Sequence, residues 1–193
     1  MQRKTFLIGI TAIVVFVATL AARMFISSNQ SFRSAVVPQA IPAPEISMTD
    51  QNGNPFQMSA QQGKVVLLYF GFVNCPEECP LTMAHLKLVF SMLGDSSQDV
   101  QVVMISTDPV RDTPQALNEF LGKFNPSFLG ISGTEDELAK IWKDYGVQVL
   151  DGGETHSSYT YVIDRHGQQR LNFTPDTSSD DIAHDLKILL AEK

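Results

Sequence analysis

Hydrophobic and polar positions divide this chain into an uncharged N-terminal run, a stretch without a period, and a long region of alternating strand and helix patterns. Residues 5–22, with FLIGITAIVVFVATLAA at their core, carry no charge, follow Arg3 and Lys4, and close at Arg23. The run exceeds the about 7–15 apolar residues of a secretory signal and approaches the about 17–25 that span a bilayer. Leu20 spoils the small-residue pattern of a cleavage site, and no cysteine follows the run to accept a lipid. An uncleaved single-pass anchor is therefore expected within 1–24. Arg3 and Lys4 stay in the cytoplasm, and the rest lies on the periplasmic or extracytoplasmic side. Residues 27–43 hold two prolines, several polar residues and no sustained period, so 25–43 reads as a flexible linker. The folded domain is expected over 44–193.

Within that domain, Asn52-Gly53 is a hairpin signal. The continuous apolar run at 65–72 suits a central strand buried on both faces, and 100–106 suits another. Residues 81–93 place Leu81, Ala84, Leu88 and Met92 at helical spacing, with Leu86 and Val89 beside them. Thr113-Pro114 opens a helix over 113–124, because threonine caps well and proline belongs at the first helical position. A helix over 132–145 starts with Thr134 and Glu137 in capping-box spacing and stops at Gly146. Residues 159–163 and 169–173 flank Arg165-His166-Gly167 as a hairpin. Ser178 or Ser179 caps a last helix over 180–190. Strands separated by helices, then a hairpin and a helix, predict an α/β domain. The expected architecture is thioredoxin-like: a mixed central sheet flanked by helices, after one transmembrane helix.

Composition narrows the function. The chain has 193 residues, a net charge of −7 and 18% charged residues, too ordinary for a disordered tail. Its exported part is more acidic still, since the anchor carries Arg3, Lys4 and Arg23 and no acid. That balance argues against nucleic acid as a partner. Two cysteines cannot staple a small secreted scaffold, and Cys75 and Cys79 stand close enough to form a site.

Both fall in GFVNCPEECP, directly after the first central strand. Pro80 lacks an amide hydrogen and biases Cys79 away from helical torsions, so the helix should begin near Pro80. Cys79 then lies at the cap and Cys75 in the loop, both near the positive end of the helix dipole, which favours thiolates. Redox turns of this kind separate their cysteines by two residues; here Pro76, Glu77 and Glu78 intervene. Negative neighbours oppose thiolate formation and favour a bound cation. The wider spacing alters the geometry of a disulfide without forbidding it. These features suit a metal site better than a fast thiol nucleophile. Of the histidines, His85 falls within the first helix, His166 in the hairpin turn and His184 in the last helix. His156 ends the loop GGETHSS, which in a thioredoxin-like sheet faces the cysteine turn. Two sulfurs and that imidazole would suit Cu(I), could hold Cu(II), and could accept zinc.

Three motifs in order, YFGFVNCPEECP, STDPVRDTPQALNEFLGKFNP and THSSYTYVIDRHG, carry a specific resemblance. Over 44–193 the sequence resembles the Sco/SenC family, membrane-anchored thioredoxin-fold copper chaperones of cytochrome c oxidase assembly. The resemblance implies that Cys75, Cys79 and His156 are copper ligands, with one Cu(I) or Cu(II) per chain. It also implies delivery to the dinuclear copper site of an oxidase subunit, by ligand exchange rather than by turnover as an enzyme. A copper donor and a thiol reductant are further expected partners, because Cys75 and Cys79 can form a redox-active disulfide outside the cytoplasm. Thr155 departs from the acidic residue that often precedes this histidine in the family. Ser158 stands where redox-active relatives of the fold place a cis-proline.

Asp108, Arg111 and Asp112 lie on a loop at the same sheet edge as the cysteines. The expected arrangement pairs Asp108 with Arg111 and lets Asp112 and Thr113 start the helix; a supporting role for Asp108 behind the metal ligands is the alternative. Met83, Met92 and Met104 read as core, as do Tyr69, Phe70 and Phe72. Two other functions use the same cysteines: a thiol–disulfide oxidoreductase that reduces the acceptor's cysteines, and a redox or copper sensor. The first has no need of His156. The second predicts an altered transcriptional response with normal oxidase copper loading.

Overall fold

The computed structural model describes residues 31–150 and 155–192. The anchor expected at 5–22 lies outside them, and no helix among the described residues is long and apolar enough to cross a membrane. Strand β4 (Val65–Gly71) is the axis of the central sheet, and all of its residues are buried. Alternation along it sends Val65, Leu67 and Tyr69 into one apolar layer and Val66, Leu68 and Phe70 into the other. Burial on both faces explains the unbroken hydrophobic run in the sequence.

Strand β5 (Val100–Ser106) runs parallel to β4, from Val65 opposite Val100 to Gly71 opposite Ser106, and β6 (Leu129–Ile131) continues the parallel set. On the other side β9 (Thr160–Ile163), β10 (Gln168–Phe173) and β1 (Ala35–Pro42) are successively antiparallel. The order β1-β10-β9-β4-β5-β6 is the mixed sheet that the pattern predicts. Two small hairpins stand apart, β2 (Ser47–Thr49) with β3 (Pro55–Gln57), and β7 (Val149–Leu150) with β8 (Thr155–His156). In the first, Gly53 takes a φ of 82°, and the Asp50 carboxylate accepts the Asn52 and Asn54 amides at 2.8 and 2.9 Å.

Helices α1 (Glu78–Leu93), α2 (Pro114–Gly122) and α4 (Ser179–Ala191) cover the Tyr69 face; α3 (Glu135–Asp144) and the β2–β3 hairpin cover the Phe70 face. Their caps follow the sequence signals. Thr113 accepts the Ala116 amide, Thr134 and Glu137 form a reciprocal capping box, and Ser178 accepts the Asp181 amide.

Three expectations need correction. The linker expected over 25–43 includes β1, and the compact unit starts at Phe32 rather than near residue 44. A two-proline segment reads as linker, but at a sheet edge, with one partner strand, the missing amide hydrogens are tolerated. Helix α1 begins at Glu78 instead of Pro80, because the third helical position has no amide partner to lose. Its inward face is Cys79, Met83, Leu86, Val89, Phe90 and Leu93, whereas Leu81 and Leu88 are half exposed. The helix carries two overlapping apolar stripes, and the one that begins at Cys79 and Met83 turns in.

The start of the domain is held by Asp185 on α4, which has no exposed surface. Its carboxylate accepts the Arg33 and Ser34 amides, each at 2.9 Å, and meets His184 Nδ1 at 2.9 Å. Burial acts to raise its pKa, but the bonds from His184 and the Arg33 and Ser34 amides outweigh it and leave the value lowered. A lowered carboxylate contributes stability at neutral pH that is lost as pH falls through its folded value. Asp185→Ala should therefore cost about 1–3 kcal/mol at neutral pH, the penalty of leaving the part-buried Arg33 and Ser34 amides without their acceptor. In urea unfolding the gap to the unmodified protein should narrow in acid; an equal gap at both pH values would show that the charge is immaterial.

Candidate metal centre

Because β4 and β5 end side by side, the loops that follow them leave the same edge of the sheet, and the Thr107 amide donates to the Gly71 carbonyl at 2.9 Å. The first loop turns back at once, with the Cys75 amide on the Phe72 carbonyl at 3.3 Å. It enters α1 so that Cys79 is the second helical residue. The Cys79 amide, one of the helix's otherwise unpaired donors, then points at the Cys75 sulfur at 3.4 Å. The structure thus brings Cys75 and Cys79 together. Both are free, Cys75 half-buried and Cys79 fully buried.

Two residues of β4 complete the surroundings of Cys79. The Tyr69 hydroxyl donates to its sulfur at 3.4 Å, and both side chains have no exposed surface. Gly71 leaves the room for this contact: a β-carbon there would stand 2.6 Å from Tyr69 Cε1 and 2.9 Å from Cys79 Sγ. Burial pushes the Cys79 thiol up to about 12, further than the hydrogen bonds from Tyr69 and the Phe72 backbone pull it down. The expectation that the helix dipole would favour a thiolate at Cys79 is thus reversed by desolvation. Burial likewise drives the Tyr69 phenol well above its usual range, so it remains a proton donor.

The neighbouring loop supports the first. Asp112 accepts the Val73 amide at 3.0 Å and the Ser106 hydroxyl at 2.6 Å, fastening the segment that leads to Cys75 onto the end of β5. Burial raises its pKa despite these bonds from Ser106 and Val73. Asp112 was expected to help start the helix, but Thr113 alone caps it. Asp108 pairs with Arg111 as expected, and its backbone amide donates to Ser106 Oγ at 3.0 Å. The Arg111 guanidinium in turn lies 6.0 Å from the centre of the Phe72 ring.

His156 lies on β8, its backbone paired with Val149; its side chain lies outside the described ones. Ser158 shares a cleft with Thr82 and His85 of α1, on the helix that carries Cys79. His166 sits in the β9–β10 turn, with its amide on Asp164, and His184 serves Asp185. Met83 and Met104 are fully buried core residues. Among the described residues, no cluster of three or more histidine, cysteine or acidic side chains could by itself hold a metal ion. The described donor set is the sulfur pair, whose soft thiolates fit a soft metal ion. Sequence reading missed Tyr69, Gly71 and Asp112 as parts of this centre. A usable signal existed for the first: a phenol on a strand buried on both faces needs a polar partner, and residues 69 and 71 share a face.

Comparison with known proteins agrees with this architecture. A family model described as SCO1/SenC matches residues 38–191. The chain is 33% identical over 152 residues to an SCO2-like protein of Rickettsia felis, covering 74% of each. The solution structure of apo Sco1 from Thermus thermophilus is 32% identical, with a TM-score of 0.74 over 84% of this chain and 99% of that one. Bradyrhizobium japonicum ScoI, solved with copper bound, is 31% identical, with a TM-score of 0.71 over 78% of this chain and all of that one. The match runs from β1 to the end of α4, and the chain therefore belongs to the SCO1/SenC family, on a thioredoxin-like fold.

Proposed function

We propose that this protein is a membrane-anchored copper chaperone that delivers copper to the dinuclear copper site of cytochrome c oxidase during assembly. The observation that carries the reading is the sulfur pair at the start of α1, where the Cys79 amide points at Cys75 Sγ. It stands in a family with a member solved holding copper. Cys75 and Cys79 supply two soft donors, and His156, on β8, supplies the third. Copper is cargo here.

The proton balance follows from burial. Without a cation Cys79 keeps its proton, because a bare thiolate at that depth would be poorly solvated. Cargo uptake replaces the proton with a cation, so loading releases protons and weakens as pH falls. Cys75, only half-buried, is the sulfur an acceptor reaches first. Transfer is then an exchange of ligands within a docked pair, with the acceptor's ligands taking over as Cys75 lets go. Both sulfurs must be reduced, which is why a thiol reductant belongs among the partners, beside a copper donor. Asp108, bonded to Arg111, holds the loop next to the dithiol and supports it from behind. The run at 5–22 anchors the chain in the inner membrane with the domain on the periplasmic or extracytoplasmic side.

One observation favours a second reading, a thiol–disulfide oxidoreductase: a half-buried Cys75 next to a buried Cys79 is the inequality that thiol exchange uses. Anaerobic Cu(I) titration of the reduced protein beside His156→Ala separates the two. The expected result is one tight copper per chain, weakened by about tenfold or more in His156→Ala, with disulfide exchange retained. Weak copper binding in the unmodified protein, or an unchanged affinity in His156→Ala with exchange intact, would favour the oxidoreductase.

A further inference from the structure

A buried phenol must place its hydroxyl hydrogen on an acceptor. For Tyr69 that acceptor is the Cys79 sulfur, 3.4 Å away. Thr82, three residues further along α1 than Cys79, acts to lower the phenol's pKa against the larger effect of burial. Thr82 also lines the cleft that holds His85, Ser158 and Thr160. Gly71 keeps the contact between the Tyr69 hydroxyl and the sulfur open by having no side chain. Packing alone would have been served by phenylalanine, the residue next to it at position 70.

We propose that Tyr69 is a positioning residue for the dithiol: its hydroxyl donates to the Cys79 sulfur and sets how strongly that sulfur gives electrons. This rests on the copper reading only for the metal-bound half of its consequences. A hydrogen bond to a thiol or thiolate draws charge from the sulfur and stabilises the reduced form. A disulfide sulfur is the weaker acceptor, so much of that stabilisation disappears on oxidation. In that oxidation Cys75 and Cys79 give up two protons and two electrons as the S–S bond forms, and a glutathione disulfide takes them to become two thiols. Losing the donor therefore favours the disulfide. With Cu(II) bound, the same loss raises the energy of the sulfur electrons and brings sulfur-to-copper charge transfer to lower energy.

Tyr69→Phe, which keeps the ring and removes only the hydroxyl, is the test. In equilibrium with a glutathione couple, the constant should move about fivefold to tenfold toward the Cys75–Cys79 disulfide, tenfold being about 30 mV for this two-electron couple. The charge-transfer band of the Cu(II)-loaded variant should move to longer wavelength while the stoichiometry stays the same. A purely structural role would move the unfolding midpoint and leave both readings in place, and that outcome overturns the proposal. 3-Fluorotyrosine at position 69, whose more acidic hydroxyl is the stronger donor, should shift the equilibrium the opposite way, toward the dithiol. If Tyr69→Phe does not fold, an unshifted equilibrium in the fluorotyrosine protein overturns the proposal instead. An unmodified protein that takes up no copper would defeat the copper reading, while the dithiol equilibrium would still decide the role of Tyr69.

Discussion

Cys79→Ser should lower Cu(I) affinity by more than about 100-fold, beyond the about 10–100-fold that loss of a supporting group behind a ligand costs. The reason is chemical rather than steric. Serine keeps the shape of the side chain but replaces a soft, polarisable sulfur with a hard hydroxyl that Cu(I) disfavours. The fold should tolerate the change, because the Tyr69 hydroxyl that now donates to Cys79 Sγ can donate to the new oxygen. Affinity should therefore collapse while the unfolding midpoint moves little. Cys75→Ser should behave alike at copper and be milder for the fold, since Cys75 is only half-buried. An anaerobic competition titration against a chromophoric Cu(I) chelator reads both variants. A loss under about tenfold for Cys79→Ser would place that sulfur outside the set of ligands.

The second large effect is expected at a residue without a side chain. Gly71→Ala puts a β-carbon 2.6 Å from Tyr69 Cε1 and 2.9 Å from Cys79 Sγ. Neither neighbour has exposed surface to retreat into. Overpacking of a filled core costs about 1–3 kcal/mol, and a clash on two fixed sides belongs at the upper end. Gly71→Val should cost more. The clash also falls on the contact between Tyr69 and Cys79, so the variant should lose copper affinity together with stability, unlike Cys79→Ser. Urea unfolding measures the first as a lower midpoint at an unchanged slope. A midpoint equal to that of the unmodified protein would mean that the end of β4 can shift outward, and that Gly71 is not needed for the slot.

The two variants also show how unevenly the site could be read beforehand. Cys75 and Cys79 announce themselves by residue type and spacing, because thiols in a turn before a helix have few other uses. The dipole argument at Cys79 nevertheless pointed the wrong way, since sequence reports the helix end but not the depth of the sulfur below the surface. Asp112 was legible as a helix-start residue and turned out to fasten Val73 and Ser106, a contact between segments far apart in the chain. Tyr69 read as packing because its hydroxyl acceptor comes from another element.

The same division holds for the whole molecule. What the amino-acid sequence determined alone were features whose causes lie within a few residues. They are the doubly buried β4 and β5, the caps at Thr113 and Thr134, a serine cap at 178 or 179 on the last helix, the Asn52-Gly53 turn, and the turn that leads from Cys75 into α1. Tertiary structure decided whatever needed a distant partner. The proline-bearing segment at Ala35–Pro42 became strand β1 only because β10 offers it an edge. Which of its two apolar stripes helix α1 turns inward was decided by the core layer that packs against it, from Cys79 on Tyr69 to Leu93. Local propensity and hydrophobic period are set by neighbours in the chain, whereas the depth of a sulfur, its hydrogen-bond donor and the rotation of its helix are set by what packs against them.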